Sequence, residues 1–477
     1  MQEKLPVRAK LYSHQEDAVG FSLKVLGYGK DPPRSKSVAI LAEMGTGKSL
    51  ITIALAGQLY KQGHIKRLLV IAPLSITGVW REELKKFAGF SYTLEVLTGG
   101  AADKTKALER LSQDCKGLSI AVVNYESAWR IEADLAAWRP CMIVADESTK
   151  IKNPQAKQAK ALHRLGKASK HNAILTGTPI TNSPLDFYSQ YIFLDESIFG
   201  KSFFVFRARY AILGGYGMHQ IVGYKNLDDL TQKAHAIAYR ITKAEALDLP
   251  EQVDATQPIT LDPKAERVYD RVERESVAEL ESGEVTATNV LTKLLRLSQI
   301  TGGYLKSDCG ERVEEVSRAK LDALENIVDE CMAAGKKLVV FSRFIPEIDA
   351  IEKMLKKARI GYALIKGEVK DRAEQVARFQ TDPDTKVFIG QLQTTGMGLT
   401  LTAADTAVFY SLSYNFADYE QAKARIHRIG QKNNCTYIHL VASRTIDEKV
   451  MDALKAKKNM ADLVVDNWKS LFKTTRA

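Results

Sequence analysis

The stretch VAILAEMGTGKSLITIAL, beginning at Val38, restricts the fold of this chain more than any other. An apolar run suited to a buried strand leads into a glycine-rich turn, then Lys48-Ser49, then a second apolar run of helical length. A strand that passes through a tight turn into a helix is the repeating unit of a parallel α/β sheet, because the helix carries the chain back across the sheet face. Such a turn also has a chemistry. Glycines let successive backbone N–H groups face phosphate oxygens, a lysine reaches the β- and γ-phosphates, and a hydroxyl meets Mg2+. The helix N-terminus adds partial positive charge. Gly45, Gly47, Lys48 and Ser49 supply these groups, with Met44 and Thr46 completing the loop. Ala42 stands where the usual GxxxxGKS pattern has its first glycine. The expected ligand is ATP or a similar nucleotide, with Mg2+.

A second apolar run, CMIVADEST from Cys141, ends in two acids. Open α/β sheets bind ligands at the carboxyl ends of their strands, where Asp146 and Glu147 fall. Asp146 is expected to hold Mg2+ through water, alongside Ser49. Glu147 is expected to orient and polarise the attacking water.

The same rhythm runs along most of the chain. RLLVIAP from Arg67, LSIAVVNY from Leu118 and NAILTGTP from Asn172 read as buried strands. GVWREELKKF places Trp80, Leu84 and Phe87 on one helix face. Later, KLVVFSRF from Lys337, VFIGQ from Val387, TAVFYSLS from Thr406 and YIHLVAS from Tyr437 repeat the strand signal, with IPEIDAIEKMLKKA and DRAEQVARFQ as the helices between. The fold class is therefore α/β, with two doubly wound parallel sheets. The second lobe carries no GKS or GKT loop. The expected divisions are lobe one over 1–240, with an aromatic and basic insert at about 197–235, then a hinge and helical protrusion over 241–318. Lobe two follows over 319–442, and a helix with a basic tail over 443–477.

Lysine and arginine number 68 against 57 aspartates and glutamates, a net charge of +11, which permits a polyanionic partner without demanding one. Five scattered cysteines with no CxxC pair fit reduced thiols in a cytosol-like compartment rather than a disulfide framework or a zinc site. No run has the length of a membrane span, and MQEKLPVRAK lacks a signal segment. The expectation is a soluble cytoplasmic protein.

A γ-phosphate developing negative charge needs cations at the transition state. In QAKARIHRIGQ, Gln421, Arg425 and Arg428 lie at helical spacing, with Arg425 and Arg428 three apart on one face. Read from the helix alone, they are better explained by an ordinary surface face.

Taken in order, these segments resemble a Swi/Snf-type motor of helicase superfamily two, over residues about 5–465. The resemblance implies RecA-like lobes, ATP hydrolysis and tracking along double-stranded DNA. LYSHQEDAV is similar to the N-terminal glutamine motif, which implies Gln15 on the adenine and His14 stacking there. AEMGTGKS resembles the phosphate loop, VIAPLSITGVWREEL the next motif, DESTKIKN the Asp-Glu box, and LTGTPITNSPLDFYS the coupling motif with Thr176, Gly177, Thr178 and Pro179. VVFSRF, QTTGMGLTLTAAD and QAKARIHRIGQ resemble the motifs of the second lobe. The resemblance assigns Ser75, Asn124, Thr178, Arg343, Thr394, Thr395 and Gly396 to DNA, Gly398 to nucleotide, and Thr176, Gly177 and Gln421 to coupling. Arg425 and Arg428 become the arginine fingers. SRTIDEKVMDALKAKK resembles a brace helix, with Ile446, Val450 and Leu454 as its apolar face. Thr149 and Ala424 depart from the family pattern. A stand-alone core of this kind looks more like bacterial or phage members than chromatin remodellers.

The implied function is a DNA-dependent ATPase that moves along double-stranded or branched DNA, monomeric and directed by a targeting protein. A strand-separating or strand-annealing helicase, an RNA-dependent ATPase and a nucleotide-gated DNA clamp are alternatives. In the insert, Phe203, Phe204, Phe206, Arg207, Arg209, Tyr210, Tyr216 and Tyr224 interleave rings with cations. Either they stack on exposed bases, or they form a small aromatic core.

Overall fold

The computed structural model describes residues 5–29, 32–113, 116–215, 217, 220–282, 287–306, 313–367, 371–395 and 399–461; for 276–291, 306, 394, 395 and 461 only the backbone is described where it is placed. Thr394 and Thr395 fall in this backbone-only group. Gly396, Gly398 and Tyr216 lie outside the described residues. The strands are β1 (Ser37–Ala42), β2 (Arg67–Ala72), β3 (Tyr92–Val96), β4 (Leu118–Asn124), β5 (Met142–Asp146), β6 (His171–Leu175), β7 (Ala211–Gly214), β8 (Gln220–Tyr224), β9 (Ala238–Ile241), β10 (Gln252–Ile259), β11 (Tyr304–Lys306), β12 (Val313–Glu315), β13 (Leu338–Ser342), β14 (Gly361–Ile365), β15 (Thr385–Gln391), β16 (Thr406–Phe409) and β17 (Cys435–Ala442). The chain forms two compact units. One comprises the residues up to Asp248 with those from Lys457, and the other is Leu249–Ala456. The break falls within ALDLPEQ.

The first unit is built on a seven-stranded sheet in the order β3-β4-β2-β5-β6-β1-β9. Every pairing is parallel, as in Ile40 with Leu175 and Ala42 with Ile241. All six residues of β1 are buried, the condition under which a strand reads as an unbroken apolar run. The helix after it, Lys48–Lys61, is buried at every position from Leu50 to Leu59. Helix Thr77–Phe87 turns Trp80 and Leu84 into the core.

The second unit holds a six-stranded sheet in the order β10-β17-β16-β13-β15-β14, again parallel throughout. Residues 252–259, expected within a hinge, are instead the edge strand of this sheet, in register with β17 from Gln252–Cys435 to Ile259–Ala442. The strand is polar and mostly exposed, and Pro258 is tolerated because an edge strand leaves one side of its backbone unpaired. Helices Pro263–Ser282 and Ala287–Thr301 lie where helices were expected. Helix Ile446–Ala461 buries Ile446, Val450 and Leu454.

The aromatic insert splits along the helix Phe203–Tyr210. Phe206 and Tyr210 are buried and pack with Phe199, Tyr188 and Tyr191 at ring separations of 4.8–6.1 Å. Phe203 leans on Tyr188 at 5.2 Å, while Phe204 is 76% exposed. Tyr210 also donates to Asp229 at 2.5 Å. The rings are thus mainly a local core, and only Phe204 among the three phenylalanines is presented to solvent. Cys141, Cys331 and Cys435 are free thiols. Among the described residues no helix is long and apolar enough to cross a membrane.

Candidate functional site

The loops at the carboxyl ends of β1, β2, β4, β5 and β6 share one edge of the first sheet, because all of these strands are parallel. The loop after β1 turns through Gly45 at φ +87° and Gly47 at φ +91°, backbone that a side chain would strain. A Cβ on Gly47 would also sit 2.2 Å from Gln15 Nε2. Ala42 is still part of β1 and needs no left-handed backbone, so an alanine fits where the usual pattern has its first glycine. Lys48 Nζ donates to the carbonyls of Ala42 at 3.0 Å and Glu43 at 3.4 Å. Thr46 is buried and donates its hydroxyl to Glu43 O at 2.8 Å. Met44 and Ser49 are half-buried.

Asp146 closes β5 and is buried. Trp80 Nε1 donates to its Oδ2 at 3.0 Å, and Tyr125 OH to its backbone carbonyl at 2.7 Å. Burial, then the charge of Glu147, push the Asp146 carboxyl well above the usual carboxylate range; Lys48 and the Trp80 hydrogen bond pull it back. Glu147 is also buried and holds φ +53°, a left-handed backbone that costs a non-glycine residue about 1–3 kcal/mol and concentrates at functional sites. Among the described residues no cluster of three His, Cys, Asp or Glu side chains could hold a metal. Mg2+ takes one or two protein oxygens and completes its shell with phosphate and water, and a carboxylate such as Asp146 is a donor of the kind it accepts. Ser49 lies in the first turn of the helix after the loop, and Asp146 ends β5.

Gln15 and His14 meet the phosphate loop rather than standing apart from it. Gln15 Nε2 donates to Thr46 O at 3.1 Å and its Oε1 accepts from Tyr12 N at 3.0 Å. His14 Nε2 lies 2.9 Å from the same Thr46 carbonyl, so this nitrogen carries the proton. Tyr12, which sequence reasoning passed over, stacks on His14 at 5.8 Å and is 53% exposed.

Thr176 and Gly177 follow β6, with Thr176 N bonded to Ile40 O. A Cβ on Gly177 would press on Glu43 Cα at 3.2 Å and Ala42 O at 3.3 Å. Arg240, in β9, is buried and donates to Leu41 O and Gly177 O at 3.2 Å each and to Glu43 at 3.3 Å. Nothing in the motif pattern had marked it. The Asp-Glu box is tied to the same loop. Ser148 donates to Gln190, whose amide donates to Pro179 O and Asp186 O at 2.8 Å each. Lys152 donates to Thr181. Thr178 is half-buried, its N–H on Thr176 Oγ1. Ser75 is exposed in the turn after β2, and Asn124 caps the short helix after β4 by accepting from Ser127 N at 3.0 Å.

In the second unit the expected helical face is corrected. Helix Phe416–Lys423 carries Gln421 but ends before both arginines, which lie in the turns that follow. They converge all the same. Arg425 Nη1 and Arg428 Nη1 donate to one acceptor, Leu399 O, at 3.3 and 2.9 Å. Arg343 follows β13, half-buried, with its guanidinium 4.9 Å from the Phe344 ring.

Residues 14–302 match the SNF2-related domain and residues 319–430 the helicase conserved C-terminal domain. The chain is 27% identical over 440 residues to a chromodomain-helicase-DNA-binding protein 1-like of Danio rerio, covering 89% of this chain and 41% of that protein. It is 27% identical over 470 residues to a DNA repair and recombination protein RAD54-like of Drosophila ananassae, covering 89% and 59%. A Sulfolobus solfataricus SWI2/SNF2 ATPase core solved in complex with dsDNA is 26% identical, with TM-score 0.46, over 98% of this chain and 95% of that one. The chain spans only about two- to three-fifths of the length of the curated relatives it matches. It belongs to the SNF2-related family of helicase-like ATPases.

Proposed function

We propose that this chain is a DNA-dependent ATPase that uses hydrolysis to move along double-stranded DNA and to remodel branched or protein-bound DNA. One observation carries the hydrolytic part: the phosphate loop and the buried Asp146–Glu147 pair share one sheet edge, with Glu147 in strained backbone. The loop N–H groups and Lys48 bind the phosphates, and Gln15 and His14 take the adenine. Ser49 and Asp146 would hold Mg2+, which when bound would supply positive charge against the phosphates. Glu147 orients the attacking water, and Arg425 and Arg428 stabilise the γ-phosphate as charge develops on it. Gly398 takes part in nucleotide binding. Ser75, Asn124, Thr178, Arg343, Thr394, Thr395 and Gly396 grip phosphates of the DNA backbone, so affinity is independent of sequence and falls with salt. Thr176, Gly177 and Gln421 couple hydrolysis to movement. The protein works as a soluble, cytoplasmic monomer directed to its substrate by a partner protein.

The test is steady-state ATP hydrolysis with no nucleic acid, blunt duplex, single strand, forked duplex and RNA, each at two salt concentrations. Strong stimulation by blunt duplex, lost at high salt, is the expected result. Stimulation by single strands alone would replace translocation with strand separation, and stimulation by RNA alone would change the substrate. Glu147→Gln should bind ATP and fail to hydrolyse it; normal turnover would remove Glu147 from its role.

A further inference from the structure

Glu347 lies in helix Ile345–Lys357 of the second unit, 1% exposed, and carries none of the roles above. Its Oε2 accepts from Ser342 Oγ, Ser411 Oγ and Phe344 N. Its Oε1 has no hydrogen-bond partner among the described residues. A Cβ on Gly302 would stand 1.9 Å from that oxygen, so the carboxylate is seated against a glycine that leaves it room. Burying a carboxylate is costly, and burial does raise its titration, opposed by the two serines and the charge of Lys320.

The hydrogen bonds continue outward from the carboxylate. Ser411 Oγ, which donates to Glu347, accepts from Arg343 N at 2.8 Å. Gln391 Nε2 donates to Arg343 O at 3.5 Å, and Gln391 Oε1 accepts from Gly367 N at 3.2 Å. Ser411 follows β16, Arg343 follows β13, Gln391 ends β15 and Gly367 follows β14. These four strands are neighbours in one parallel sheet, so the chain of bonds crosses its carboxyl edge from strand to strand. Arg343 is the member held at both its N–H and its C=O.

We propose that Glu347 is a positioning residue for DNA engagement: it fixes Ser411 and the turn after Ser342, and so sets the backbone from which Arg343 reaches a DNA phosphate. This rests on Arg343 contacting DNA. Glu347 touches neither nucleotide nor DNA. Its loss should therefore raise the DNA concentration that half-maximally stimulates hydrolysis, leaving DNA-free turnover and the KM for ATP unchanged.

The experiment measures DNA-stimulated ATPase of the full chain on blunt duplex for Glu347→Ala, Glu347→Gln and Ser411→Ala, with thermal unfolding of each. Glu347→Ala should shift half-saturation upward about fivefold or more, Ser411→Ala in the same direction by less, and Glu347→Gln, which keeps an acceptor for the three donors, should restore most of the affinity. If Glu347→Ala does not fold, Ser411→Ala decides, since it breaks the link from Glu347 to Arg343 and leaves the carboxylate its Ser342 and Phe344 donors. A folded Glu347→Ala with unchanged half-saturation overturns the proposal, as does a parallel fall of DNA-free turnover in every variant. Arg343→Ala separates the premises. If it leaves half-saturation unchanged, the DNA role of Arg343 fails; if it shifts half-saturation and neither Glu347→Ala nor Ser411→Ala does, the positioning role alone fails.

Discussion

Trp80→Phe removes a hydrogen-bond donor and tests how Asp146 is kept ready for Mg2+. The indole N–H lies 3.0 Å from Asp146 Oδ2 in a site where Trp80 is 2% exposed, and phenylalanine fills most of the space but cannot donate. A hydrogen bond to an ionised group contributes roughly 1.5–3 kcal/mol. At about 1.4 kcal/mol per pH unit, its loss raises the Asp146 titration by roughly one to two units. Burial and Glu147 already hold that titration high. Because the folded value is raised, the protonated form gains as pH falls, and the proton competes with Mg2+ for the same carboxylate. Half-saturating Mg2+ for ATP hydrolysis should therefore rise about 5- to 50-fold near neutral pH, and the difference should shrink as pH rises through the titration. Affinity for nucleotide without Mg2+ should not move. Stability runs the other way. The lost bond favours the ionised carboxylate, so its cost is largest at high pH and shrinks as pH falls, above a pH-independent cost of about 1–2 kcal/mol for the smaller ring. A folded variant whose Mg2+ dependence matches the parent at every pH would refute the role given to Trp80.

Arg240→Met should destabilise the first unit by about 2–4 kcal/mol in chemical denaturation, since it strands the Leu41 and Gly177 carbonyls and half-exposed Glu43, and hydrolysis should fall with it; a loss under about 0.5 kcal/mol would show that water replaces the guanidinium. Gly177→Ala should weaken nucleotide affinity about fivefold or more, because the added methyl meets backbone of the loop that binds phosphate rather than a movable side chain; unchanged affinity by equilibrium titration would count against that link. Phe206→Ala should cost roughly 3–5 kcal/mol, and Phe204→Ser less than about 0.5 kcal/mol, in thermal unfolding; equal effects would contradict the division of the insert into core and surface.

The elements legible in the sequence are those whose physics is local. β1, β2, β4, β5 and β6 are buried on both faces and so appear as apolar runs, and Gly45 and Gly47 stand where left-handed backbone is required. β10 was misplaced because an exposed edge strand, QVDATQPI, has no apolar run to read. Arg425 and Arg428 sit three apart, which fits a helix face, yet the helix stops at Lys423 and it is the Leu399 carbonyl that brings them together. Trp80 was legible as a core residue through its spacing with Leu84. Its second task, holding Asp146, depends on a partner 66 residues away and leaves no trace in spacing.

The phosphate loop of the first unit and the turns around Glu347 in the second are held by side chains of opposite charge, and the phosphate loop explains half of that contrast. To bind phosphate, a loop must turn its N–H groups outward, and its carbonyls are then left facing the protein. Those carbonyls need donors, and cations or amides must supply them. Lys48 takes Ala42 and Glu43, Gln15 and His14 share Thr46, and Arg240 takes Leu41 and reaches across to Gly177. Among the described residues, the carboxyl edge of the second sheet differs around Glu347. Its turns leave N–H and hydroxyl groups facing inward, at Phe344, Ser342 and, through Ser411, Arg343, so the buried holder there is an anion, Glu347. Exchanging the holders between units would leave acceptors facing acceptors in one and donors facing donors in the other. Around these two networks the sign of the holding charge follows from which groups the turns face inward: carbonyls at the phosphate loop, N–H and hydroxyl groups at Glu347.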